Sequence, residues 1–337
     1  MKTALKYLLV TLILISACKP GIAQKDSVYA FYKSISVPGN GGYDYISIDE
    51  ANRHLFVTHG TVLDVIDMNT EKVIDSVTGL KGIHGVAVVN NVNKGFISDG
   101  KGMAVVAFDL KTFKTIATIP LSKEDADGIM YDPSSKKVFV FCGDANATCV
   151  IDVNSLKEIN TIDLGGAPEF AMPDGKGLIY NNLEDKNMMN VIDTKQMKVI
   201  KTFPLAPCGG PTGLALDMKN KRAFTVCREN KGMSVVNIES GKVITTVPIG
   251  SGVDAVKYDA DNKLIFCSNG DGTATIIKQN SADDYTVVET LQTTYRAKTM
   301  AFDKQTGNIY FSAPKFVTGT KEIVPNTFAV LVYKKVK

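Results

Sequence analysis

The sequence predicts an all-β protein, a seven-bladed β-propeller of four-stranded blades whose last blade is closed by the N-terminal strand. Three observations carry that expectation. Segments starting at Asp44, His84, Asp127, Glu169, Thr212, Asp254 and Lys298 align with one another at separations of 40, 43, 42, 43, 42 and 44 residues. A fixed period near 40 is the signature of propeller repeats. Each period holds only strand-length apolar segments divided by turn residues. The seventh unit has room for three strands, at 299–303, 309–313 and 327–333, whereas an unclaimed strand-like segment near 28–37 precedes the first unit.

The elements of one unit follow in order. The first strand is the aligned segment itself, as in "DYISID" from Asp44 or "TGLALD" from Thr212. A tight turn comes next, such as "DPSSKK" (132–137), made of residues that favour turns. The second strand opens with an aromatic residue twelve positions after the unit start, at Phe56, Phe96, Phe139, Phe224, Phe266 and Tyr310; the fourth unit is one residue short, with Tyr180. The third strand carries a "VID"-like element and the fourth a "KVIxT"-like element. Asp67, Asp109, Asp152 and Asp193 stand where an Asx turn would close the hairpin between them. The N-terminal "SISVPG" (34–39) matches "TTVPIG" (245–250), a fourth strand, so it is expected to complete the last blade and remove its open edge.

The stretches "FVTH" (56–59), "FISD" (96–99) and "FCSN" (266–269), each followed by VID-like and KVIxT-like strands, resemble YVTN repeats. Over residues 24–337 the chain is similar to the YncE-like family of secreted seven-bladed propellers. The resemblance implies the fold and an exported protein, but no chemistry, because the repeat residues maintain blades and do not react.

Ahead of the ring, Lys2 and Lys6 precede a short apolar core from Leu8 to Ile15, the pattern of an export signal. Two processing sites compete. "GIA" (21–23) would release a soluble protein beginning at Gln24; "ISAC" (15–18) resembles a lipobox, which would end the signal at residue 17 and leave Cys18 lipidated, the only expected tie to a membrane. The expected location is the bacterial periplasm, outer membrane or cell surface. Cleavage after Ala23 removes Lys2, Lys6 and Lys19 and brings the 38 basic residues level with the 35 acidic ones. A neutral chain without a basic–aromatic groove argues against nucleic acid as a partner.

The remaining cysteines, Cys142, Cys149, Cys208, Cys227 and Cys267, form no CxxC or CxxCH motif, which removes cluster, zinc-ribbon and c-type haem readings. Cys142 and Cys149 bracket a six-residue loop and can be read as a disulfide or as two small apolar side chains. There is no G-x-S-x-G elbow, no P-loop and no helix-opening G-x-G-x-x-G, so neither a serine nucleophile nor a nucleotide cofactor is indicated.

Chemistry is expected at one channel mouth. Antiparallel blades place the starts of first strands and the ends of second strands on one face. Asp44, His84, Asp127, Glu169, Thr212, Asp254 and Lys298 should therefore ring that mouth, with His59, Asp99, Asn182, Arg228 and Asn269 beside them. Asp44, His84, Asp127, Glu169 and Asp254 are candidate ligands for one divalent cation: oxygen donors suit Ca²⁺, Mg²⁺ or Mn²⁺, and the imidazole draws the choice toward a transition metal. The plainer alternative is a solvated polar rim. His59 and His84 are candidates for acid–base work in a pocket shared with Asp44 and Asp99; Asp99, Asn182, Arg228, Asn269 and Lys298 are candidates for holding a ligand. The expected function is a monomeric binding propeller that presents this mouth to a small molecule, a cation or a protein. The alternative is a metal-dependent, lactonase-like hydrolase or lyase.

Overall fold

The computed structural model describes residues 27–336. The export signal, both processing sites, Cys18 and Gln24 lie outside the described residues. Among those described, 28 strands form seven antiparallel four-stranded sheets, interrupted only by three 3₁₀ turns. The chain is a seven-bladed β-propeller. No helix among the described residues is long and apolar enough to cross a membrane.

Six blades are built from consecutive strands, the first being Tyr43–Asp49, His54–His59, Val62–Asp67 and Lys72–Val77. The innermost strand of each blade packs on its two neighbours, and Thr299–Phe302 of the last blade packs on Tyr43–Asp49 of the first, which closes the ring. The seventh blade holds Thr299–Phe302, Ile309–Ala313, Ala329–Lys335 and, on its outer edge, the N-terminal strand Tyr29–Ser36. The two ends of the chain pair directly, from Tyr29 opposite Lys335 to Ser36 opposite Ala329.

The repeated aromatic explains how the blades stack. The buried apolar residues fall into seven clusters, one at each blade–blade junction. In every junction the second-strand aromatic of one blade faces the next: Phe56 toward blade 2, Phe96 toward blade 3, and so on to Tyr310, which faces blade 1. Tyr180 fills the same role in blade 4 despite its one-residue offset. Its neighbours in the strand, Ile179 and Asn181, point the other way, as the alternation of a strand requires. Each buried ring contributes about 2 kcal/mol.

Turn chemistry also repeats. Asp67, Asp109, Asp152 and Asp193 each accept the backbone N–H groups two and three residues on, at 2.8 to 3.1 Å, and Asn237 does the same in blade 5. Backbone hydrogen bonds hold the Asp67 and Asp109 carboxyls below their usual range. The fourth residue after each acid is left-handed, from Glu71 to Met197, and is a glycine, Gly241, in blade 5.

Of the two sequence readings of Cys142 and Cys149, the structure takes the one with two small buried side chains, and the disulfide forms between a pair the sequence did not single out. Cys208 and Cys227 form the disulfide, whereas Cys142 and Cys149 are thiols with sulfurs 4.0 Å apart. Cys142 lies opposite Ala147 and Cys149 opposite Val140, so the two are diagonal neighbours across the hairpin. Diagonal positions sit about 7–8 Å apart, beyond the usual span of a disulfide. Cys208, in the loop entering blade 5, instead meets the end of that blade's second strand, and closing this 19-residue separation stabilises by about 3 kcal/mol.

Two features of the closure each generate a prediction. On the face opposite the mouth, Arg53 of blade 1 makes a bidentate pair with Asp303 of blade 7, at 2.9 and 2.6 Å, and the Asp303 carboxylate is fully buried. Arg53→Ala strands that charge and is expected to lower stability by about 3–5 kcal/mol in denaturant titration. Deleting residues 27–37 removes the outer strand of blade 7 and bares the edge of Ala329–Lys335. Melting at a markedly lower temperature with a broadened transition is expected; unchanged, cooperative melting would show that the ring closes without it.

Candidate functional site

A β-bulge builds the mouth. In blade 1 the ladder pairs Tyr43 with His59 and then Ile46 with Val57, so Asp44 and Tyr45 together face a single residue, Thr58. The same two-against-one step frees His84 and Gly85, Asp127 and Gly128, Glu169 and Phe170, and Thr212 and Gly213. Bulges re-aim side chains at the rims of sheets. Here the first residue of each pair turns to the mouth, while Tyr45, Gly128 and Phe170 line the channel below. Gly213 has no space for a side chain: a Cβ there would lie 2.7 Å from the Asp254 carbonyl oxygen.

Side chains from neighbouring blades fasten the backbone of the mouth residues. Ser98 donates to the Asp127 carbonyl at 2.6 Å, Asn182 to that of Thr212 at 2.8 Å, and Thr299 to that of Asp44 at 2.7 Å; Ser268 donates to Lys298. The backbone of each of these mouth residues is thus held by another blade.

Six of the seven unit-start residues divide into two groups; the seventh, Thr212, is buried, and its hydroxyl donates to the Val253 carbonyl. On one side Asp44, His84 and Asp127, from three consecutive blades, bring ligand atoms within 4.8 Å of one another. His84 Nδ1 lies 2.8 Å from Asp44 Oδ2 and 3.4 Å from Asp127 Oδ1. The hydrogen bond to Asp44 raises the His84 pKa, and the Asp127 charge adds to it. Burial, then repulsion from Asp44, pushes Asp127 up to about 7. Asp127 Oδ1 is a buried oxygen with no hydrogen-bond partner. A cleft of about 200 Å³ between blades 1 and 2 opens onto Asp44 and His84.

On the other side the charges neutralise one another. Asp254 is bound by Arg228 at 2.7 Å and by Lys298, and Arg228 also reaches Glu184. Burial, then a shared hydrogen bond with Glu184, pushes Glu169 up to about 9. Of the five expected cation ligands, three converge; Glu169 and Asp254 are engaged elsewhere.

The remaining sequence candidates take up structural contacts. His59 is buried, stacked on Phe328 with ring centroids 4.2 Å apart and Nδ1 3.7 Å from Asp64, so it shares no pocket with His84. Asp99 accepts the N–H groups of Lys81 and Gly82 and shapes the loop entering blade 2. Asn182 joins blades 4 and 5, and Asn269 bonds Thr273 and Thr275 within its own blade. Of the second-strand ends, Arg228 alone joins the charged mouth. Glu184, two residues past Asn182, is a mouth residue the repeat does not single out.

No family model matches the chain, and no curated protein sequence matches it. Among solved structures it is similar to a chain of hydrazine synthase from Kuenenia stuttgartiensis, at 15% identity over 82% of this chain and 94% of that one, with a TM-score of 0.72. It is also similar to a chain in the crystal structure of a mitotic checkpoint complex, at 13% identity over 99% and 100% of the two chains, with a TM-score of 0.76. At these identities the likeness is one of fold.

Glu169 gives the mouth a pH signature. Its folded pKa lies above its ordinary value of 4.5, so its contribution to stability is fully present below about 4.5 and is lost as pH rises toward 9. Glu169→Gln should flatten the decline in melting temperature between pH 5 and 9 and leave the variant at least as stable as the wild type at pH 8. A parallel decline in both proteins would show that Glu169 does not carry it.

Proposed function

We propose that the protein is an exported binding propeller of the YVTN-repeat kind that holds one divalent cation at its channel mouth through Asp44, His84 and Asp127. The observation that carries this reading is the buried Asp127 oxygen, which accepts no hydrogen bond and has the His84 ring nitrogen 3.4 Å away, with a second carboxylate beside them. Buried polar atoms ordinarily find partners, and a cation would supply one. Two carboxylates and one imidazole suit a Mn²⁺- or Zn²⁺-like ion better than Ca²⁺. The regular second-strand aromatics support the family assignment, and the pattern of residues 1–23 supports export.

Three protein ligands leave coordination positions open toward the mouth, where a small molecule can complete the shell. That openness also favours the hydrolytic alternative, in which the cation polarises a lactone carbonyl. Turnover of a simple lactone by the metal-loaded protein, abolished in Asp127→Ala, would select it over plain binding.

The test of the cation itself is thermodynamic. Mn²⁺ or Zn²⁺ at one hundred times its Kd should stabilise the wild type by about 2.7 kcal/mol relative to chelator. Asp127→Ala should show no cation-dependent shift. Equal shifts in the two proteins, or none in the wild type, would leave the mouth a solvated rim.

A further inference from the structure

Below the mouth, the channel between the inner strands holds a cavity of about 150 Å³. Its wall is largely apolar, with Phe141, Phe170, Met130, Met172 and Met300 among the lining residues. Tyr45 and Phe170, from blades 1 and 4, stand between the mouth and this space, with ring centroids 4.9 Å apart. Among the described residues, Lys257, on the inner strand of blade 6, is the only charged one that lines it.

No hydrogen bond or ion pair to the Lys257 amine forms among the described residues, in contrast to Arg228 and Lys298 at the mouth, which share Asp254. Burial alone, with no carboxylate beside it, lowers the Lys257 pKa. An ammonium in an apolar wall is costly unless an anion joins it. The strand register does not require a lysine here: Ala215 and Ala301 occupy the equivalent positions of blades 5 and 7, where they pack at blade junctions.

We propose that this cavity binds a small organic monocarboxylate of about the size of benzoate, its carboxylate on Lys257 and its apolar body against Phe170 and the methionines. The volume sets the size, because a cavity of about 150 Å³ accepts one benzene ring. The wall sets the class: an inorganic oxyanion would leave the apolar surface unmatched, and a neutral hydrocarbon would leave the ammonium unpaired. One charged group at the end of an apolar pocket is the arrangement that orients such a ligand. Ser47, on the blade 1 strand and also lining the cavity, offers a hydroxyl for the second carboxylate oxygen. The site is separate from the cation site above it and does not depend on it.

Calorimetry on the full-length protein in excess chelator, which removes any carboxylate binding to a mouth cation, tests the proposal with benzoate and its neutral counterpart benzyl alcohol. Benzoate should bind at least about ten-fold more tightly than benzyl alcohol, the difference a charge-assisted hydrogen bond supplies. Lys257→Met, which keeps the apolar volume, should weaken benzoate by at least about ten-fold and leave benzyl alcohol within about three-fold. Equal binding of the two compounds by the wild type, no benzoate binding at millimolar concentration, or undiminished benzoate binding by Lys257→Met would each overturn it. The wild-type comparison decides the matter even if the variant fails to fold.

Discussion

Everything in this protein depends on the fact that each blade is apolar on both faces. A four-stranded sheet with Phe56 on one side and Leu55 and Val57 on the other cannot bury itself; it needs a blade on each flank. Seven such sheets satisfy the requirement only as a closed ring, which is why the buried residues form seven junction clusters in place of one central core. The pairing of Tyr29–Ser36 with Ala329–Lys335 completes the last blade of that ring and joins the two ends of the chain within it. Closure in turn fixes the spacing of the inner strands, and so the distances among residues at the mouth.

The site is a by-product of this architecture with one local departure. A regular ladder would alternate the inner-strand side chains between the two faces of the blade, toward the neighbouring sheets. The bulge at the head of the inner strand in the first five blades interrupts the alternation and sends one residue upward and the next inward. In those blades the same irregularity supplies both the mouth residues and the aromatic lining of Tyr45 and Phe170 beneath them, whereas Asp254 and Lys298 reach the mouth without it. Ser98, Asn182, Ser268 and Thr299 hold the result, each bonding the carbonyl of a mouth residue in another blade. Preorganisation at the mouth comes from the joints between blades.

The fold was legible because it is written seven times. The period, the aromatic at the second strand and the Asx turns at Asp67, Asp109, Asp152 and Asp193 are local patterns, and repetition averages out the ambiguity of any single copy. The unit starts at the mouth were legible for the same reason. What could not be read was which charge meets which. Asp44 and Asp254 occupy equivalent positions, yet the first faces His84 and the second faces Arg228 and Lys298, partners drawn from different blades. The disulfide was hidden similarly: Cys142 and Cys149 are close in sequence but sit on a diagonal, whereas Cys208 and Cys227 meet only once a loop folds back on its blade. His59 and Asp99 ended their strands at the expected level, but packing against Phe328 and the Lys81–Gly82 loop turned them away. Lys257 carried no motif at all; its position mattered only once the channel had walls.

The seventh blade has an orientational consequence. Tyr29 and Lys335 lie side by side, and their side chains touch the first-to-second turns of blades 7 and 6, at Gly307 and Asn262. Those turns lie on the face opposite Asp44 and His84, so the polypeptide enters and leaves the disc through its underside. Any tether attached ahead of Tyr29 would therefore join the disc on the face opposite the mouth, leaving both faces of the channel distinguishable by which one carries the chain ends.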